Sequence, residues 1–225
     1  MAHIELRDLT KIFATDGVET TALRGVTLEI RAGEFGAVVG PSGSGKSTLF
    51  HCLGGLLRPT SGSIKIAGEE ITAIPPHRLA EFRLRAVGFV FQSYNLITVL
   101  TALENVEYVM LLQGVPPEER RARAEALLRK VGLADYLHRR PNAMSGGQQQ
   151  RVAVARGVAA EPKLILADEP TANLDSKTGA ALMDLMRELN REKNMTFLFA
   201  THDTMVMERA SRIIKLRDGQ VDEAT

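Results

Sequence analysis

The chain has 225 residues, 44% of them hydrophobic and 24% charged, with a formal net charge of +1. That length suits one large domain, or one domain carrying an inserted subdomain, with a core that needs no staples. The near-neutral balance argues against a dedicated nucleic-acid surface, and the single cysteine, Cys52, reads as an apolar filler suited to a reducing compartment.

Residues 1–10 carry charge where a targeting segment would be apolar, and no apolar run is long enough to cross a bilayer. If the protein serves a membrane, another chain does the crossing. Along residues 1–35, Ile4, Leu6 and Val26 to Ile30 alternate at period two and predict β-strands. Four short apolar runs follow, at 35–39, 87–91, 164–167 and 196–200. They do not alternate, which predicts strands covered on both faces, as in a parallel sheet flanked by helices. A helical pattern from Lys46 to Leu57 follows the first run.

The stretch 93–155 reads as mostly helical. Pro116, Pro117, Glu118 and Glu119 form a good helix start. Ala124, Leu127, Leu128 and Val131 then make one apolar stripe, which Lys130 and Gly132 close. We expect an α/β core over 1–92 and 156–225, with 93–155 inserted as a helical subdomain. Residues 212–221 predict a final hairpin turning at Asp218-Gly219.

Three motifs carry chemistry. The first is a glycine-rich loop between an apolar strand and a helix, the context of a phosphate-binding loop. Its candidate nucleotide-binding residues are Gly40, Pro41, Ser42, Gly43, Ser44, Gly45, Lys46, Ser47 and Thr48. Its glycines let backbone N–H groups converge on phosphates, and the helix N-terminus adds favourable dipole charge. Lys46 would reach the β- and γ-phosphates, and the Ser47 hydroxyl would hold Mg²⁺. The second motif is the strand Leu164 to Ala167 ending in Asp168 and Glu169. A carboxyl-edge strand end is where α/β sheets bind ligands. Asp168 suits a Mg²⁺ shell; Glu169, diverging along the strand, suits a general base. The third motif is Ser145, Gly146, Gly147 and Gln148. Ser145 is a good N-cap, and the helix behind it carries Val152, Ala155, Val158 and Ala159 on one stripe. Its open amides form an anion site without naming the anion.

Ser145 to Gln148, followed after a helix by a strand ending Asp168-Glu169-Pro170-Thr171, resembles the ABC transporter ATPase family. The order of the other motifs agrees over essentially the whole chain. Gln92 matches the family's Q-loop, Ala172 to Asp175 its D-loop and Thr201-His202-Asp203 its switch histidine. Phe13 stands where the family stacks an aromatic on adenine; Phe13 and Met144 replace the commoner tyrosine and leucine.

The resemblance implies a P-loop NTPase core of α/β class, with an N-terminal antiparallel β subdomain and an inserted helical subdomain. It implies ATP and Mg²⁺ as cofactors, with Ser47, Gln92 and Asp168 at the metal. It casts Lys46, Glu169 and His202 as the catalytic set. It implies an ATP-dependent dimer, in which Ser145 to Gln148 of one copy close over the other's γ-phosphate and Asp175 acts across the interface. The remaining partner would be an integral-membrane permease, with no nucleic acid, and the place the cytoplasmic face of the cytoplasmic membrane. Residues 33–62, 92–105 and 166–171 resemble the lipoprotein-release and macrolide-export branch in particular. The alternatives are an importer ATPase or a non-transport ABC ATPase; a P-loop nucleoside kinase would lack Ser145 to Gln148. Tyr94, Leu96 and Ile97 are expected to line a groove for a cytoplasmic helix of the permease.

Overall fold

The computed structural model describes residues 2–15 and 18–224. Strands β1 (Ala2–Thr15) and β2 (Val18–Arg31) pair antiparallel. Ile4, Leu6, Leu9, Leu23, Val26, Leu28 and Ile30 turn one way into the core, the outcome that period-two patterning dictates. Strand β3 (Phe35–Val39) is buried along its whole length and leads through the glycine loop into α1 (Lys46–Leu53). The helix stops four residues short of the predicted Leu57. Gly54 is its C-cap, and Gly55 turns left-handed behind it.

Strands β4 (Ser61–Ile66) and β5 (Glu69–Glu70) complete the antiparallel sheet, in the order β2-β1-β4-β5. After α2 (Leu79–Ala86) comes β6 (Val87–Val90). Three helices follow: α3 (Ala102–Leu112), α4 (Pro117–Lys130) and α5 (Gly146–Ala159). Thr101 and Glu104 form a capping box on α3, and α4 begins at Pro117 with Glu118 and Glu119 in its first turn, as the sequence predicts. Helix α5 runs unbroken across the expected boundary at 155/156. Strand β7 (Leu164–Asp168), α6 (Ser176–Lys193), β8 (Thr196–Thr201), α7 (Thr204–Arg209), β9 (Arg212–Arg217) and β10 (Gln220–Ala224) finish the chain.

The second sheet has the order β10-β9-β3-β8-β7-β6. All its pairings are parallel except the β9–β10 hairpin, which turns at Asp218 and Gly219. One core fills the space between the two sheets and around α1; a second lies on the far face of the parallel sheet, against α5 and α6. A third joins α3, α4 and α5 through Val106, Met110, Leu128 and Val152. The α/β class with its antiparallel and helical additions follows directly.

Candidate nucleotide-binding site

The parallel strands β3, β7 and β8 end side by side, and their following loops share one cleft of about 640 Å³. Gly40, Pro41, Ser42, Gly43, Ser44, Gly45, Lys46, Ser47 and Thr48 line it, with Gln92, Asp168, Glu169 and His202. Gly45, the N-cap of α1, has φ 102°, and a Cβ there would lie 2.6 Å from the Ala22 carbonyl oxygen. Only glycine fits that position. No side chain caps α1 and no acid occupies its first turn, so the helix amides and dipole face the cleft without a local anion. Lys46 Nζ donates to the carbonyl oxygens of Gly40 (2.7 Å) and Pro41 (3.0 Å), folding its cation over the loop. A cradle of this kind suits a phosphate group.

Asp168 is half-buried at the end of β7 and hydrogen-bonds Ser47. Burial and the neighbouring Glu169 charge push its carboxyl above the ordinary range, against the pull of His51, Ser47 and Lys46. Among the described residues no cluster of three or more His, Cys, Asp or Glu side chains could hold a metal unaided. The Ser47–Asp168 pair instead offers two hard oxygens, a fit for Mg²⁺ that takes its other ligands from phosphate and water.

Glu169 lies one residue past β7, with φ 44°, so a left-handed turn sets its direction rather than strand alternation. Its backbone N–H donates to the Ala200 carbonyl (2.9 Å). One carboxylate oxygen accepts from Thr201 Oγ1 (3.0 Å) and the other lies 2.6 Å from His202 Nδ1. The His202 side chain is 77% exposed and Glu169 only 16%. The acid is thus held, and the ring that holds it faces the open cleft.

The remaining candidates lie elsewhere. Ser145, Gly146, Gly147, Gln148 and Asp175 line a separate depression of about 520 Å³. Ser145 caps α5 in a reciprocal box with Gln148. Asp175 caps α6, accepting from the N–H groups of Lys177 and Thr178 and from Thr178 Oγ1 (2.6 Å), which holds its carboxyl below the usual range. Phe13 is exposed on β1 with the Lys11 ammonium 5.1 Å above its ring, and is absent from the cleft lining. Leu96 packs into the third core, and Tyr94 lies against Gly146. Of the three side chains expected in the groove, Ile97 alone lines it. That groove, about 690 Å³, is built from Leu56, Phe89, Phe91, Tyr108 and Leu112.

Sequence reasoning missed Arg156. Its guanidinium donates to the carbonyls of Tyr94 (2.9 Å) and Asn95 (2.6 Å), both left-handed residues just after Gln92. An arginine inside the apolar α5 pattern was the available signal.

Residues 23–172 match the family described as ABC transporter. The chain is 52% identical to an uncharacterized ABC transporter ATP-binding protein of Thermotoga maritima, over 97% of this chain and 93% of that one. It is 50% identical, over 97% of its length, to the macrolide export ATP-binding/permease protein MacB of Nitrosomonas europaea, but spans only 33% of that protein. It is 45% identical to the lipoprotein-releasing system ATP-binding protein LolD of Syntrophus aciditrophicus, over 97% and 98% of the two chains. Among solved structures, the dimeric ATP-binding cassette MJ0796 bound to ADP and Pi superposes with a TM-score of 0.91 at 42% identity, over 99% of this chain and 97% of that one. A phosphate cradle, a held carboxylate and a fold and sequence shared at this level lead to one assignment: the chain belongs to the ABC transporter family and is an ATP-binding, ATP-hydrolysing subunit of that type.

Proposed function

We propose that two copies of the chain enclose ATP between them, the loop cleft of one meeting the Ser145 face of the other, and that hydrolysis drives a permease of the macrolide-export or lipoprotein-release kind. The observation that carries this reading is the division of the site. The cleft and the Ser145 depression share no residue, yet each presents a helix N-terminus with no acid in its first turn. Two anion-seeking faces on one chain suit one ligand shared by two chains.

On this reading we assign the residues the following roles. The loop amides and Lys46 hold the phosphates, while Ser47 and Asp168 hold Mg²⁺, with Gln92 at its edge. Mg²⁺ when bound neutralises phosphate charge. Glu169 accepts the proton of the attacking water, and His202 steadies that carboxylate and meets the γ-phosphate. Ser145 to Gln148 close over the phosphate from the other copy, and Asp175, at the rim of the same face, meets the partner. Phe13 receives the adenine, and residues 93–155 act as the helical subdomain. No helix among the described residues is long and apolar enough to cross a membrane. The permease supplies that part, with this chain peripheral on the cytoplasmic face.

Light scattering with Mg²⁺ and ATP tests the shared site. Glu169→Gln keeps size and shape but loses the base, so it is expected to run as a dimer without turnover. Adding Ser145→Arg blocks the α5 end and is expected to restore the monomer. A Glu169→Gln protein that stays monomeric in saturating ATP overturns closure of the isolated subunit.

A further inference from the structure

Gln150 lies on α5, five residues past the Ser145 cap, and is wholly buried. Its Nε2 donates to the Pro170 carbonyl oxygen at 2.9 Å. Its Oε1 is buried with no hydrogen-bond partner, one of two such side-chain atoms among the described residues. The carboxamide therefore satisfies one buried carbonyl and leaves another oxygen orphaned. As a contribution to stability that exchange gains little, since an unpaired buried acceptor costs about what a hydrogen bond returns. A buried group of this kind calls for a reason outside stability.

Its partner supplies the reason. Pro170 follows Glu169 directly, and Glu169 holds a left-handed backbone that a residue with a Cβ adopts only when its surroundings impose it. The Glu169 N–H is fixed on the Ala200 carbonyl, and its carboxylate on Thr201 and His202. On the other side of the residue, its own carbonyl accepts only a long bond from the Ala172 N–H, 3.3 Å. The Gln150 bond to the next carbonyl fixes that side from a rigid helix.

We infer that Gln150 is a positioning residue for Glu169, holding the Glu169-Pro170 turn so that the carboxylate meets the attacking water. The inference rests on the general-base role proposed above for Glu169. It also joins the two faces of one chain: the helix that caps one ATP in the dimer fixes the base that serves the other.

The test is Gln150→Met, which keeps length and burial and removes the donor. Steady-state ATPase is expected to show kcat reduced about tenfold or more, with KM within about twofold. In the Glu169→Gln background, Gln150→Met is expected to leave the ATP-bound dimer intact, because the defect lies after closure. Where Gln150→Met fails to fold, judged by its melting curve, Gln150→Leu reports instead; its side chain cannot donate, and the same loss of kcat is expected. Unchanged kcat in the folded variant overturns the inference. So does loss of the dimer on adding Gln150→Met to a Glu169→Gln protein that dimerises, since Gln150 then acts on the α5 face and not on the base. If Glu169→Gln alone stays monomeric, the shared-site reading fails, and the separation of kcat from KM still decides the role of Gln150.

Discussion

Asp168 stands under two opposed demands. The proposed Mg²⁺ role needs an ionised oxygen beside Ser47, while burial and the Glu169 charge resist ionisation. Its folded-state pKa is raised above the unfolded value of about 3.9. The folded protein therefore keeps the proton to higher pH, and stability falls as pH rises from the unfolded value through the folded one. Above the folded value that penalty is fully present. Asp168→Asn is expected to raise the nucleotide-free melting temperature at pH 7 by no more than about 4 °C. The gain should vanish once pH falls well below the unfolded value of about 3.9, where the aspartate is protonated in both states. Mg²⁺-dependent ATP turnover is expected to fall at least about a hundredfold. A lower melting temperature for the variant at pH 7 would contradict the reading. The residue types at this site were legible in the sequence, because a glycine loop, a lysine and a strand ending in two acids leave few alternatives. The left-handed turn at Glu169 and the bond from Gln150 were not, because both arise from contacts between distant segments.

The elements meet closely where α5 crosses β6. A Cβ on Gly88 would lie 2.2 Å from the Gly157 carbonyl oxygen and 2.6 Å from Ile165 Cδ1. Backbone cannot yield there as a flexible side chain would, so Gly88→Ala must lift α5 from the sheet. That helix carries Ser145, Gln150 and Arg156. The substitution is expected to cost about 1–3 kcal/mol in urea unfolding. ATP-driven dimerisation should weaken more than ATP binding to the single chain, because the phosphate loop hangs from β3 and α1 and not from β6. Equal loss of both would show that the shift reaches the phosphate loop. Strands β3, β6, β7 and β8 were readable as short unalternating runs, and the α4 start as prolines followed by acids. The end of α1 was misplaced because Leu56 and Leu57 continue the apolar pattern past the glycines that stop the helix. Strand order was not readable at all, since β3 finds both neighbours far along the chain.

For the whole molecule, the apolar groove beside the loop after Gln92 is the surface we propose for the permease. Leu56, Tyr108 and Leu112 are exposed there at 48%, 39% and 55%, on either side of the sheet edge at Phe89. Exposed apolar side chains gathered in one place mark a partner site, and an amphipathic helix from the permease fits one of this shape. Leu112→Asp is expected to abolish co-purification with the permease and its stimulation of turnover. Basal turnover should stay within about twofold, since Leu112 is remote from the cleft lining. Retention of the complex would exclude the groove. Ion pairs between the subdomains run on another face, where Lys130 of α4 meets Glu188 and Glu192 of α6.

The pairing of β3 with β8 and β9 also governs how the protein is made. The glycine loop hangs from β3, yet residues 196–217 supply both flanking strands, and the Ser44 carbonyl accepts from the N–H of Gly219. A ribosome adding roughly 5–20 residues each second needs on the order of ten to thirty seconds to travel from Lys46 to Gly219. During that interval the nascent chain has its phosphate-binding sequence but no sheet to shape it. ATP therefore meets a binding site only once Gly219 has been made, and cannot guide the folding of the early segments.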